Sequence, residues 1–128
     1  MSENKDRRYI DRIMIPGAKV YYKKSSGFTY LKRYHGPLFL ADITKSTISV
    51  PEKLSLHIKT GLDLKIIIPE NQVISMKGII SGFENDINSR SVKTVIQFNP
   101  FGHGKQYNSF RSKKKLDRFL AYYYQSGK

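Results

Sequence analysis

Short apolar segments separated by turn residues run through most of this chain of 128 residues, and this rhythm constrains the fold more than any other feature. The segments are rich in Val, Ile, Tyr and Phe, and each has the length of a β-strand. The stretch 69–71 is short enough for a tight hairpin, and the polar stretch 84–90 predicts a hairpin loop. We expect strands at 17–24, 37–44, 46–50, 62–69, 72–81 and 91–98, with 28–34 as a further strand or a long loop.

The end of the chain has a different period. Its apolar residues recur at the spacing i, i+3, i+4 and i+7, which indicates an amphipathic helix with Ser112 as its N-cap. These apolar residues are Leu116, Phe119, Leu120 and Tyr123.

These two periods together predict a mostly β fold, a small six- to seven-stranded antiparallel β-barrel with a C-terminal α-helix packed on it. We expect an N-terminal basic arm at 1–16, the barrel at 17–111 and the helix at 112–128.

Lysine and arginine outnumber acidic residues by 23 to 10, which gives a formal net charge of +13. Such an excess predicts a polyanionic partner or an acidic surface rather than an apolar one. The chain has no cysteine, which excludes disulfides and thiolate metal sites and suits the cytoplasm. The N-terminal residues are too charged for a secretory signal, and no apolar run could span a bilayer, so we expect no membrane insertion.

Catalytic and metal-binding motifs are missing from the sequence. His35, His57 and His103 are widely spaced, and we interpret them as surface or loop residues. The stretch 99–105 superficially resembles a phosphate-binding loop, but Asn99 stands where its first glycine belongs, so a connecting loop is the better interpretation. We expect a protein that is not an enzyme and has no cofactor and no metal site.

Two other patterns bear on binding. Aromatic residues are interleaved with lysine and arginine over 21–34, a mixture typical of proteins that bind single-stranded nucleic acid, although half of these rings are expected to face the core. Before the first strand lie three arginines, Arg7, Arg8 and Arg12, the last two spaced as R-x-x-x-R. A guanidinium can hold two phosphate oxygens, or O6 and N7 of guanine, and can also stack on a base.

A second polar cluster lies between two predicted strands, in the stretch 42–47. Asp42 is an acceptor suited to the N1–H and N2–H₂ donors of guanine. Thr44, two residues further, offers a hydroxyl on the same face of an extended strand. Together with the arginines, these residues describe a receptor for a guanine nucleotide.

With these two motifs the chain resembles the PilZ domain family, whose marks are R-x-x-x-R before the first strand and [D/N]-x-S-x-x-G between later strands. The likeness extends over about 6–124 and includes the segment near 58–69 and the strand at 78–83. It implies binding of cyclic di-GMP, a bacterial second messenger, by Arg8, Arg12, Asp42 and Thr44. In this family an arginine at the position of Arg7 goes with an intercalated ligand dimer.

The second motif departs from the family pattern at two positions. Thr44 replaces the serine and keeps the hydroxyl, while Thr47 replaces the glycine. If that position needs a positive φ, threonine is strained there by about 1–2 kcal/mol; otherwise the turn has been rebuilt.

Our leading hypothesis is therefore a cyclic di-GMP receptor that also contacts a partner protein, with no DNA partner. The alternatives are a PilZ-fold adaptor that does not bind nucleotide and a nonspecific binder of single-stranded nucleic acid.

Overall fold

One antiparallel sheet of seven strands, ordered β2-β1-β5-β6-β7-β4-β3, forms the body of the protein. The computed structural model describes residues 15–25, 33–70, 72–86 and 91–126. This part of the chain confirms the predicted fold class of a mostly β domain with a C-terminal helix. Its elements are β1 (Lys19–Lys24), β2 (His35–Phe39), β3 (Asp42–Ile43), β4 (Thr47–Val50), β5 (Gly61–Ile68), β6 (Gln72–Asp86), β7 (Ser91–Phe98) and α1 (Phe110–Ser126).

The two end strands of this order, β2 and β3, are separated in the chain by only two residues. The Leu40 N–H donates to the Ala18 carbonyl beside β1 (3.3 Å), and the Ala41 N–H donates to the Ser49 carbonyl of β4 (2.9 Å). A single short segment therefore joins the two ends of the sheet, which curls it into a barrel-like shape. The prediction of one strand at 37–44 was wrong, because the chain changes its pairing partner at this junction.

Strand β6 is 15 residues long, and it extends beyond the predicted end at 81. Its first half pairs with β5 and its second half pairs with β7, with a shift of register between Ile80 and Gly82. A bulge of this kind bends a strand and increases its twist, so one strand can serve two parts of the sheet. At Gly78 a Cβ would lie 2.7 Å from the Gln97 carbonyl oxygen, so only glycine allows this close approach to β7.

Alternate residues of the strands point inward and form one core, as their period of two requires. The predicted helical stripe joins this core, because Leu116, Phe119 and Leu120 are buried and Tyr123 packs against them. The strand side chains of the core include Val20, Ile43, Ile48, Val50, Leu62, Leu64, Ile66, Ile68, Ile74, Met76, Ile80, Ile96 and Phe98.

The helix begins at Phe110, and its N-cap is Ser109 rather than the predicted Ser112. The Ser109 Oγ accepts a hydrogen bond from the Ser112 N–H (3.1 Å), which is the geometry of a capping side chain. Ser112 lies in the first turn, where its hydroxyl donates to the Ser75 carbonyl of β6 (2.8 Å). The helix is therefore tied to the sheet at its first turn.

Asn108 fixes the loop between β7 and α1 onto the edge of β6. Its buried side chain accepts from the Lys77 N–H (2.6 Å) and donates to the carbonyls of Lys77 (2.9 Å) and Asn99 (2.8 Å). The amide thus replaces a neighbouring strand at this point of the sheet, and it holds the loop that the sequence predicted over 99–105.

Replacing Asn108 by alanine should lower the free energy of unfolding by about 2–3 kcal/mol, because a buried backbone N–H loses its acceptor. Asn99→Ala is the matched control, since the Asn99 side chain donates one exposed bond to the Gln106 carbonyl and its loss should cost under about 1 kcal/mol. Urea denaturation of both variants measures the difference. Equal midpoints would show that Asn108 does not anchor the loop.

Candidate functional site on the β3–β4 hairpin

The residues predicted to bind ligand fall into two groups. Arg7, Arg8 and Arg12 lie outside the described residues. Asp42, Thr44 and Thr47 lie together on the hairpin formed by β3 and β4. The second predicted motif is therefore one local structure, and its geometry can be followed atom by atom.

The turn of this hairpin is organised by the hydroxyl of Thr44. The Thr44 N–H donates to the Thr47 carbonyl (2.8 Å), which closes the turn through the main chain. The Thr44 Oγ1 accepts from the N–H groups of Ser46 (3.1 Å) and Thr47 (2.9 Å). A threonine side chain that bonds to its own turn in this way stabilises the loop locally.

The two threonine hydroxyls also contact each other, with an Oγ1–Oγ1 distance of 2.9 Å. A hydroxyl has one donor and two acceptor positions. Both acceptor positions of Thr44 are used by the backbone, so its O–H donates to Thr47. Thr47 in turn keeps its own O–H as a donor, and it is the hydroxyl of this pair that can bond outside the turn.

Thr47 is the first residue of β4 and pairs with Gln97 of β7. Among the described residues other than glycine, only Lys59 and Glu70 have a positive φ. Position 47 therefore does not require glycine. Threonine is not strained there by a positive φ, and the turn has instead been rebuilt to suit it.

The outer face of the hairpin carries an acid and a base. Asp42 lies opposite Ser49, which lies opposite Val95, and residues directly opposite each other share one face of a sheet. Lys93, two residues before Val95, places its Nζ 3.8 Å from the Asp42 Oδ2. We call Asp42, Thr44, Thr47, Ser49 and Lys93 the hairpin face.

Ser49 is a member of this face that the sequence analysis did not select. It is 4% exposed, and among the buried side-chain polar atoms of the described residues its Oγ is the one without a hydrogen-bond partner. Such a group is rare in native proteins and calls for an explanation. Ser49 lies two residues after Thr47 in a strand, and this spacing could have predicted from the sequence that both face the same side. The contact between Lys93 and Asp42 could not be predicted in this way, because it joins distant parts of the chain.

Phe39 is a further exposed residue close to the hairpin in sequence. It lies three residues before Asp42, and at 70% exposure it is the most exposed large hydrophobic side chain among the described residues. An exposed ring of this kind can stack on a nucleobase.

The remaining candidates are the three histidines, which lie on the surface as predicted. His35, His57 and His103 are exposed. The ring centroids of His35 and Tyr22 lie 5.3 Å apart. Within the described ranges no three His, Asp or Glu side chains gather in a way that could hold a metal ion. No helix in the part of the chain that the structure describes is long and apolar enough to cross a membrane.

The fold is similar to that of a solved structure from Bacillus subtilis, the inhibitor of motility MotI/DgrA. The TM-score is 0.61 at 16% sequence identity, and the matched region covers 81% of this chain and 45% of that protein. The chain thus spans less than half the length of its structural neighbour. No family model matches the sequence, and no curated protein matches it either. At this identity the likeness concerns the fold, and it supports a PilZ-like fold.

Thr44→Val should lower the free energy of unfolding by about 1 kcal/mol, because two N–H groups of the turn lose their acceptor. Thr44→Ser keeps the hydroxyl and is the matched control, with an expected change of a few tenths of a kcal/mol. Thermal or urea unfolding of both variants provides the measurement. A valine variant as stable as the serine variant would contradict the role assigned to this hydroxyl.

Proposed function

We propose that the protein is a non-enzymatic receptor for cyclic di-GMP with a PilZ-like fold. The observation that carries this proposal is the hairpin face, which combines an acidic acceptor, a hydroxyl donor and a cation on the outside of the barrel. The N-terminal arm supplies the arginines of the other motif.

The geometry of the chain makes it possible for the two motifs to meet. The Ala18 N–H donates to the Ile15 carbonyl (3.1 Å), and the Ala18 carbonyl accepts from Leu40, two residues before Asp42. The described chain therefore enters the barrel beside the junction that leads into the hairpin. Arg12 precedes Ile15 by three residues, which span at most about 11 Å when fully extended.

Each residue has a defined role in this proposal. Arg8 and Arg12 bind phosphate and the O6/N7 edge of guanine, and Asp42 accepts from N1–H and N2–H₂ of the same base. Thr47 donates its hydroxyl to the ligand, while Thr44 is a positioning residue because its own hydroxyl is used inside the turn. Lys93 balances the charge of Asp42 and adds a cation for a phosphate.

The proposed output is a change in the surface that a partner protein recognises. A ligand shifts a conformational equilibrium only through contacts that one state makes better than the other. Arginines on the arm can bond to the ligand only when the arm lies against the hairpin face. Ligand binding therefore favours the position of the arm against the hairpin face. We also infer that the receptor acts in the cytoplasm, on a protein rather than on DNA.

A second candidate function is a PilZ-fold adaptor that does not bind nucleotide. Two observations favour it: Thr47 replaces the glycine of the family pattern, and the Thr44 hydroxyl is used within its turn. Isothermal titration calorimetry with cyclic di-GMP, GMP and an oligonucleotide separates the candidates. Selective binding of cyclic di-GMP at micromolar concentration supports the receptor, and no binding of any of the three supports the adaptor.

Substituting Arg8 or Arg12 by alanine should weaken cyclic di-GMP binding by roughly 1.5–3 kcal/mol each, because a charge-assisted bond is lost. Lysine at either position should restore little, since it lacks the planar fork of arginine. Arg118→Ala, on the exposed side of α1, is the matched control for loss of one positive charge. Wild-type affinity in the Arg8→Ala/Arg12→Ala double variant would place the ligand elsewhere.

Thr47→Gly should not tighten cyclic di-GMP binding, because the threonine backbone is not in a glycine-like conformation. It should instead lower the free energy of unfolding by about 0.5–1 kcal/mol through the greater freedom of glycine in the unfolded chain. Calorimetry and urea denaturation of one preparation test both statements. A severalfold gain in affinity would show that threonine handicaps the site.

A further inference from the structure

The tyrosine- and lysine-rich stretch 21–34 leads to a second site, away from the hairpin face. Its last tyrosine, Tyr34, lines a groove of about 340 Å³ on the outside of β5 and β6, and Tyr107 lines the same groove. We call this the tyrosine groove. Its lining includes Tyr34, Asp63, Ser75, Lys77, Tyr107 and Ser112.

The floor of the tyrosine groove is polar. Asp63 of β5 lies opposite Lys77 of β6, and both alternate with the buried residues Leu64 and Met76, so their side chains are on the outer face. Ser75 follows on the same face of β6. The floor therefore offers a carboxylate, an ammonium group and a hydroxyl.

One wall is Tyr34, whose ring lies close to two ammonium groups. The Lys23 Nζ lies 4.6 Å and the Lys65 Nζ 4.5 Å from the ring centroid, so the two nitrogens are no more than about 9 Å apart. Lys23 is 9% exposed, whereas Lys65 is exposed and Lys77 lies on the floor, so the ammonium groups of Lys65 and Lys77 are the two that can meet an anion. Burial, and after it the Asp63 carboxylate, raise the pKa of the Tyr34 hydroxyl above its ordinary value of 10.0, so the phenol is neutral at neutral pH.

The other wall is the loop that Asn108 anchors to β6, with Tyr107 at its edge. The Tyr107 ring packs on Gly102, where an added Cβ would lie 2.9 Å from the ring carbon Cδ1. The ring therefore lies against the backbone of Gly102, and 47% of the residue is exposed. Ser112 completes this wall at the first turn of α1, where the helix dipole adds positive potential.

We propose that the tyrosine groove binds a nucleotide unit, with the base against a tyrosine ring and the phosphate at Lys65 and Lys77. Base–aromatic stacking and a cationic groove are the two features by which proteins hold single-stranded nucleic acid. One oxygen of Asp63 accepts from the Ser25 hydroxyl (2.8 Å), and the other can accept from an N–H of the base, such as N3–H of uracil. The unit comes either from single-stranded RNA or from a free nucleotide.

This proposal does not depend on cyclic di-GMP binding at the hairpin face. The tyrosine groove lies on β5 and β6, whereas the hairpin face is carried by β3, β4 and the adjoining β7. An acidic protein partner would also suit the lysines, but it would not need two tyrosines flanking a groove with a carboxylate in its floor. The observations therefore favour a nucleotide.

The test is fluorescence anisotropy of a labelled short oligouridylate with the full chain, at two salt concentrations. Tyr107→Ala should weaken binding about tenfold, which is within the usual range for loss of one stacked base. Tyr122→Ala, which removes an exposed tyrosine from α1, should change affinity less than twofold. Lys65→Gln should lower the slope of log affinity against log salt concentration by roughly one, the value for one lost phosphate contact. Lys114→Gln, on the exposed face of α1, should leave this slope unchanged.

Competition experiments distinguish the source of the nucleotide unit. Displacement of the probe by uridine monophosphate would indicate a site for free nucleotides, and displacement by longer strands alone would indicate RNA. Asp42→Asn should leave oligouridylate binding unchanged, even where it abolishes binding of cyclic di-GMP. The proposal is overturned if no probe binds at low salt, if polyglutamate competes as well as RNA, or if Tyr107→Ala and Tyr122→Ala behave alike.

Discussion

Two backbone hydrogen bonds at the junction between β2 and β3 bring the two ends of the sheet together. Leu40 donates to the carbonyl beside β1 and Ala41 donates to β4, so the two ends of the sheet are joined by adjacent residues. This junction curls the sheet around its core, and it also brings Asp42 close to the place where the chain enters β1. The barrel shape and the candidate ligand site therefore have the same structural origin.

The hairpin that follows the junction shows how a hydroxyl can organise a turn without glycine. Thr44 satisfies two N–H groups of the turn and donates to Thr47, so the loop is held by one side chain rather than by an unusual backbone angle. The Thr44 hydroxyl is thus used inside the turn, and the Thr47 hydroxyl is the one that can bond outside it. Beneath them the Ser49 hydroxyl lacks a partner, and within the proposed function it is a group whose bonding a ligand or an ordered water would complete.

The features that the sequence predicted are those determined locally. Alternation of apolar residues predicted the strands, and the stripe from Leu116 to Tyr123 predicted the buried side of the helix. The polar cluster of Asp42, Thr44 and Thr47 was also found from the sequence, because all three lie within one short hairpin.

The features that the sequence did not predict depend on distant residues. Lys93 reaches Asp42 through the pairing of β4 with β7, and the length of β6 depends on a bulge that lets it pair with two strands. The helix cap was misplaced by one turn because two serines precede the same apolar stripe, and only the contact of Ser112 with β6 decides between them.

Chemical-shift mapping by proton–nitrogen correlation spectra, recorded during a titration with cyclic di-GMP, tests whether the hairpin face is the receptor site. We expect the largest changes on the amides of 42–49 and of Lys93, with small changes along α1. Shifts concentrated in the tyrosine groove, or spectra that remain unchanged at saturating cyclic di-GMP, would contradict the assignment of the hairpin face as the receptor site.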